Sequence, residues 1–129
     1  MKYIIVTVFI LFANFLFAFN CEQKCTVTKV IDGDTIWCDS YRVRLVCIDT
    51  PERGQKGYFK AKYYLKKRLL HKRVCLDVDR KNRKDKYGRS LAVVLYNGKN
   101  INAELLHKKY AKIWKYFKLR YSEFNPYRW

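Results

Sequence analysis

Val27-Thr28-Lys29-Val30-Ile31-Asp32-Gly33-Asp34-Thr35-Ile36-Trp37-Cys38 is the stretch whose reading decides the fold. Two runs rich in β-formers, Val27 to Ile31 and Thr35 to Cys38, flank Asp32-Gly33-Asp34, and Asp-Gly between such runs is a hairpin signal. A third run, Tyr41 to Ile48, alternates: Tyr41, Val43 and Leu45 share one face, and Arg42 and Arg44 share the other. The chain therefore opens as a three-stranded antiparallel meander with one apolar face.

Beyond the meander the period changes. From Gly57 to His71, Ala61, Leu65 and Leu69 recur every four residues with Lys and Arg between them, the pattern of an amphipathic helix with one apolar stripe. Val74, Leu76 and Val78 alternate again as a fourth strand. After the polar loop Asp79 to Arg89 a fifth runs from Ser90 to Tyr96, closed by Asn97-Gly98. A second helix is expected at about Asn102 to Lys109, with Leu105 and Leu106 inward. So few strands avoid open edges best by closing on themselves. The expectation is an α+β, mainly β fold: a five-stranded barrel of the oligonucleotide-binding type, with one helix between strands three and four and another after strand five. It would span residues 26–117, with 118–129 a short basic and aromatic tail.

At 129 residues the chain has room for one hydrophobic core, and 50% hydrophobic residues with 17% aromatics argue against disorder. The 28 Lys and Arg against 11 Asp and Glu leave a formal charge of +17, which repels itself unless a polyanion neutralises part of it. Nucleic acid is the partner this favours. A cationic membrane-active protein would segregate its basic residues along one long helix, whereas these are spread over strands, loops and helices. At the N-terminus, Lys2 precedes the apolar run Tyr3 to Ala13, continued by Phe15 to Phe19; residues 1–18 read as a signal peptide cleaved after Ala18, with an uncleaved anchor as the alternative. The domain behind it is expected to be secreted or periplasmic, where Cys21, Cys25, Cys38, Cys47 and Cys75 meet oxidising conditions. Five cysteines leave at least one unpaired. At least one disulfide, involving Cys21 or Cys25, is expected, and their spacing does not suit zinc.

Five of the eleven acidic residues, Asp32, Asp34, Asp39, Asp49 and Glu52, crowd into a short stretch of this basic chain. Each piece alone is ordinary turn chemistry. Together they say more, because Asp34 opens the second strand and Asp49 ends the third, so a meander brings both carboxylates to one end of the sheet. Such a pair suits a hard cation: calcium accepts carboxylate and carbonyl oxygens loosely, and Asp34, Asp49, a nearby carbonyl such as that of Thr50, and water would suffice. Phosphodiester hydrolysis needs neutralised charge, a positioned water and a base. Glu52 is placed to activate the water, and Arg44 and Arg89 to grip phosphate oxygens with planar two-pronged donors.

Ile31-Asp32-Gly33-Asp34-Thr35, Arg44-Leu45-Val46-Cys47-Ile48-Asp49-Thr50-Pro51-Glu52 and Asp85-Lys86-Tyr87-Gly88-Arg89-Ser90-Leu91-Ala92 resemble, in order and spacing, the motifs of the thermonuclease (staphylococcal nuclease-like) family. The resemblance covers roughly Thr26 to Phe117. It implies a monomeric calcium-dependent hydrolase that cuts DNA and RNA to leave 3′-phosphates. Asp34, Asp49 and the Thr50 carbonyl would hold the ion, Arg44 and Arg89 would bind the scissile phosphate, and Glu52 would act as base. Asp32 would support the ion's ligands from behind, and Lys86 and Tyr87 would lie near substrate phosphates. Departures from the family pattern are Cys47, a position usually small or aliphatic, Lys109, where Gly often ends the second helix, and a short C-terminal tail. The rival reading is a barrel that binds single strands without cutting them; such a binder has no need of Glu52 or of the paired aspartates.

Overall fold

The computed structural model describes residues 19–129, so the expected targeting segment, 1–18, lies outside the described residues. Strands β1 (Gln23–Asp32), β2 (Thr35–Cys38) and β3 (Tyr41–Leu45) form the antiparallel meander, with Thr35 opposite Arg44 and Val30 opposite Ile36. β5 (Arg73–Val78) pairs with the other edge of β1, and β6 (Ser90–Tyr96) pairs with β5. Parallel pairing of β6 with β3, Val43 to Ser90 through Leu45 to Ala92, closes the ring. The result is a closed barrel of β1, β2, β3, β5 and β6 of the oligonucleotide-binding type, extended by the short β7 (Lys99–Asn100). Closure satisfies the strand edges that a small open sheet would leave bare.

The third run breaks where the sequence suggested continuity. Cys47 takes a left-handed φ of +71°, and the chain turns out of the barrel into β4 (Ile48–Asp49), which pairs with β8 (Lys112–Ile113). Val46 has already left β2 for the Ala92 carbonyl, so its alternation ceases to predict a straight strand. This turn is what delivers Asp49 to the barrel's end.

Helix α1 (Tyr58–Leu69) buries Tyr58, Ala61, Leu65 and Leu69, the expected stripe, against β1. Helix α2 (Ile101–His107) starts where the Asn100 side chain accepts the Ala103 N–H, a cap that satisfies an otherwise orphaned donor. Glu104 joins the two helices, accepting from Arg68 Nε at 2.9 Å, Arg68 Nη2 at 3.2 Å and Tyr64 Oη at 2.7 Å. Inside the barrel Val27, Ile36, Val43, Leu45, Leu76 and Val94 meet Leu65, Leu69, Ile101 and Leu105 from the helices.

Both Cys21 and Cys25 are paired. Cys21 bonds Cys75 and Cys25 bonds Cys38, each with 5.5 Å between Cα atoms, and Cys47 is free and buried. The bridges span 54 and 13 residues; constraining loops of these lengths in the unfolded chain contributes on the order of 3–4 kcal/mol each. Residues 118–129, read from sequence as a tail, fold back over the outer face of β6. Phe124 packs on Val93 and Leu95, and buried Asp79 accepts from the Ser122 hydroxyl at 2.5 Å and the Glu123 N–H at 3.1 Å.

Candidate active site

Three segments converge at one end of the barrel: the β1–β2 turn, the end of β3 with β4, and the turn before β6. Gly33 sits in the first for space rather than for conformation. Its φ is not left-handed, but a Cβ there would lie 2.7 Å from the Cβ of Ala61 on α1 and 2.8 Å from Thr50 Oγ1. That close approach lets Thr50 reach Asp34, whose Oδ2 accepts from the Thr50 N–H and hydroxyl, each at 3.0 Å. Sequence reading assigned Thr50 only a carbonyl; its donors are what position Asp34. Arg44 Nη2 then lies 3.4 Å from Asp34 Oδ2 and 3.4 Å from Asp49 Oδ1.

The carboxylates here are crowded, and their proton affinities record it. Burial pushes Asp32 up to about 6, helped by the adjoining Asp34 carboxyl. Asp49 is raised by burial and by the charges of Asp34 and Glu52, against the pull of Arg44. Burial opposes ionisation of Asp34 as well, but the Arg44 charge and the hydrogen bonds from Asp32 and Thr50 outweigh it and hold that carboxyl below the usual range. Asp34 is thus an anion amid acids that resist ionising, and one guanidinium is the cation between them. Among the described residues no three His, Cys, Asp or Glu side chains form a complete metal cage. Two carboxylates that share one guanidinium nevertheless match a hard divalent ion that completes its shell with water.

Arg89 is held differently. Asp85 receives the Tyr87 N–H at 2.9 Å and the Arg89 N–H at 3.0 Å on Oδ1, and Arg89 Nε at 2.7 Å on Oδ2. This aspartate, which the sequence reading left without a role, locks the turn and aims the guanidinium. Tyr87 lies against it, its ring centroid 5.3 Å from the Arg89 guanidinium and 5.2 Å from Lys86 Nζ, and its carbonyl accepts from Arg42 at 2.7 Å. Arg44, Arg89, Lys86 and Tyr87 line one cleft of about 310 Å³ with Trp114, Phe117 and Tyr121 from the C-terminal segment. Glu52 stands apart in an exposed turn closed by the Gln55 N–H on its carbonyl; its carboxylate makes no hydrogen bond among the described residues.

Asn102 was also missed. Fully buried, it accepts the Val94 N–H and donates to the Val46 and Ala92 carbonyls, tying α2 to the bend from which β4 leaves the barrel. A polar residue at a helix start reads in sequence as a cap, so only its burial reveals it.

The chain is thus a closed barrel of the oligonucleotide-binding type in which Asp34 and Asp49 meet Arg44 at one end, and Arg44 and Arg89 line one cleft. The family of staphylococcal nuclease homologues matches residues 42–127, and the chain belongs to this family. Similar proteins include an uncharacterized endonuclease of Haemophilus influenzae, 38% identical over 119 residues covering 88% of this chain and 64% of that protein. A thermonuclease of Staphylococcus intermedius is 42% identical over 100 residues, 70% of this chain and 59% of that one. Another thermonuclease, of Staphylococcus hyicus, is 36% identical over 111 residues, 78% and 64%. The chain spans less than two thirds of the length of these relatives.

Proposed function

We propose that this chain is an exported, calcium-dependent nuclease that hydrolyses phosphodiester bonds in DNA and RNA and leaves 3′-phosphates. The observation that carries the reading is the meeting of Asp34 and Asp49 at Arg44, on a cleft that Arg89 also lines. Asp34, Asp49 and the Thr50 carbonyl would hold calcium, which would supply the charge neutralisation that an anionic substrate requires. Arg44 and Arg89 donate to the non-bridging oxygens of the scissile phosphate, and their hydrogen bonds strengthen as charge builds there in the transition state. Glu52, with a free carboxylate close enough to disturb Asp49, takes the proton of the attacking water. Asp32 Oδ1 accepts the Asp34 N–H at 3.2 Å and so keeps Asp34 in place. Lys86 and Tyr87 hold the adjoining phosphate and sugar. Export accords with two disulfides, which persist in oxidising compartments, and the chain acts as a monomer.

Release of acid-soluble nucleotides from DNA and RNA tests this reading. Release should need calcium and stop on chelation. Glu52→Gln keeps the size but cannot accept a proton, so turnover should fall by roughly 10² to 10⁴ while strand affinity changes little. A strand that binds tightly and is never cut would replace this reading with the non-catalytic binder.

A further inference from the structure

Asp49 stands on a boundary. On one side of β4 lies the arginine-lined cleft, which Ile48 also walls. On the other lies a second, larger cavity of about 540 Å³, open to solvent, whose walls include Asp49, Lys56, Lys109, Tyr110, Lys112 and Lys115. That volume falls in the range of roughly 300–1,000 Å³ typical of ligand sites. Four of its walls are lysines, and Asp49 is its one acidic wall. None of the four ammonium groups makes a hydrogen bond or ion pair among the described residues; that of Lys115 alone is engaged, over the Tyr116 ring at 4.8 Å. All six ion pairs among the described residues are made by arginines, so these lysines are set apart by sharing one cavity rather than by being unpaired.

The backbone adds a second observation. Lys109 takes φ +62°, just past the end of α2, with the Tyr110 and Ala111 N–H groups turned back onto the Leu105 carbonyl. This is the left-handed closing position that glycine fills without strain and a side chain fills at a cost. The position therefore puts a lysine in a strained conformation on the wall of the lysine-lined groove.

We infer that the groove of Lys56, Lys109, Lys112 and Lys115 is a second strand-binding site, which takes the polynucleotide leaving the scissile phosphate on the side opposite the aromatic cleft. The inference rests on the proposed nuclease reading for its direction, because Asp49 and Arg44, 3.4 Å apart, mark where the two cavities meet. A strand whose phosphate lies at Arg44 has one half in the cleft, where Tyr87, Trp114 and Phe117 offer faces to bases. Its other half then passes Asp49 into the groove, where lysines meet successive phosphates. A cleft alone would serve a mononucleotide; two cavities meeting at the phosphate serve an internal linkage.

The test uses the full chain and two triple variants. Lys109, Lys112 and Lys115→Gln removes the groove's charge, and Lys24, Lys29 and Lys99→Gln removes the same charge from exposed positions that line neither cavity. Binding of a labelled single strand of about twelve nucleotides is followed in chelator against salt. Each lost phosphate contact lowers the log–log salt slope by roughly 0.7, so the groove triple should lose about 2 in slope and at least tenfold in affinity, with the remote triple well short of both. The matching Lys→Arg groove variant should keep wild-type binding. With calcium, on strands carrying one hydrolysable linkage and lengthened on either side of it, the groove triple should lose the rate gain from one side only. Equal behaviour of the two glutamine triples, or loss of gain on both sides, overturns the groove. A wild-type chain that binds with the groove-dependent slope yet releases no nucleotides overturns the nuclease reading and leaves the groove standing.

Discussion

Arg44 and Arg89 reach the same cleft from neighbouring segments, β3 and the turn before β6, and are held there by different means. Arg44 lies between Asp34 of the β1–β2 turn and Asp49 of β4, and it meets both because the meander pairs Thr35 with Arg44 and the chain bends at Cys47. Arg89 is held by Asp85, four residues earlier in the same turn. Both side chains are mostly buried, 15% and 23% exposed, so burial does not separate them. The first arginine depends on tertiary structure and shares its partners with the ion the site would bind. The second carries its partner with it. Damage to the meander should therefore cost Arg44 both its carboxylates and Arg89 only a long contact with Thr35 at 3.5 Å.

The largest separation is expected from Gly33→Ala. The added Cβ must push Ala61 or Thr50 away, and overpacking of this kind costs about 1–3 kcal/mol. Because Thr50 donates twice to Asp34, the calcium-dependent rise in melting temperature should shrink along with activity, while the Asp85 turn stays intact. Calorimetry with and without calcium reads both. An unchanged calcium response would mean that Thr50 does not position Asp34.

Asp85→Asn attacks the other side. Asparagine still accepts the backbone N–H groups but loses the charge that meets Arg89, so turnover should fall roughly tenfold, less than the hundredfold that a misplaced reacting group costs. The pH dependence carries a sign. Burial works against ionised Asp85, but the Arg89 N–H and guanidinium overcome it and hold its carboxyl below the ordinary range. Its stabilisation is thus complete above the unfolded value of about 3.9 and lost as pH falls through the lower folded one. The stability gap between wild type and variant should be open at neutral pH and close in acid. A gap independent of pH would assign Asp85 a purely steric part.

The contrast between the arginines is also one of legibility. Strand alternation, the α1 stripe and the acidic cluster are local patterns, so the barrel and the members of the site could be read from sequence. What escaped depends on distant residues. Val46 and Cys47 continue a strand pattern until Ala92 and β8 offer other partners, and Asn102 resembles a cap until three backbone groups surround it. The C-terminal segment is the clearest case. Ser90 to Tyr96 is nearly unbroken in apolar residues, which signals a strand covered on both faces, yet the signal does not say that Phe124 supplies the second cover. Asp85 was within reach, since an aspartate opening a Tyr-Gly-Arg turn is placed to accept its N–H groups.

The smallest effect sharpens the comparison to a third cation, Lys109, which has no acidic partner among the described residues and occupies its place at the expense of backbone strain. Lys109→Gly should relieve that strain, less the extra freedom glycine gains in the unfolded chain, for a net stabilisation of about 0.5–1 kcal/mol. In a domain of this size that raises the melting temperature by about 2–5 °C. Strand affinity should move the other way, with a salt slope shallower by roughly 0.7 for one lost phosphate contact. Lys109→Gln separates the two effects, because it removes the charge and keeps the left-handed side chain, so it should weaken binding without the gain in stability. Arg44 and Arg89 cannot behave this way: removing either leaves a carboxylate unpaired, so function and stability should fall together. If Lys109→Gly stabilises the chain and leaves strand binding untouched, the lysine meets no phosphate, and its conformation is not strain kept for binding.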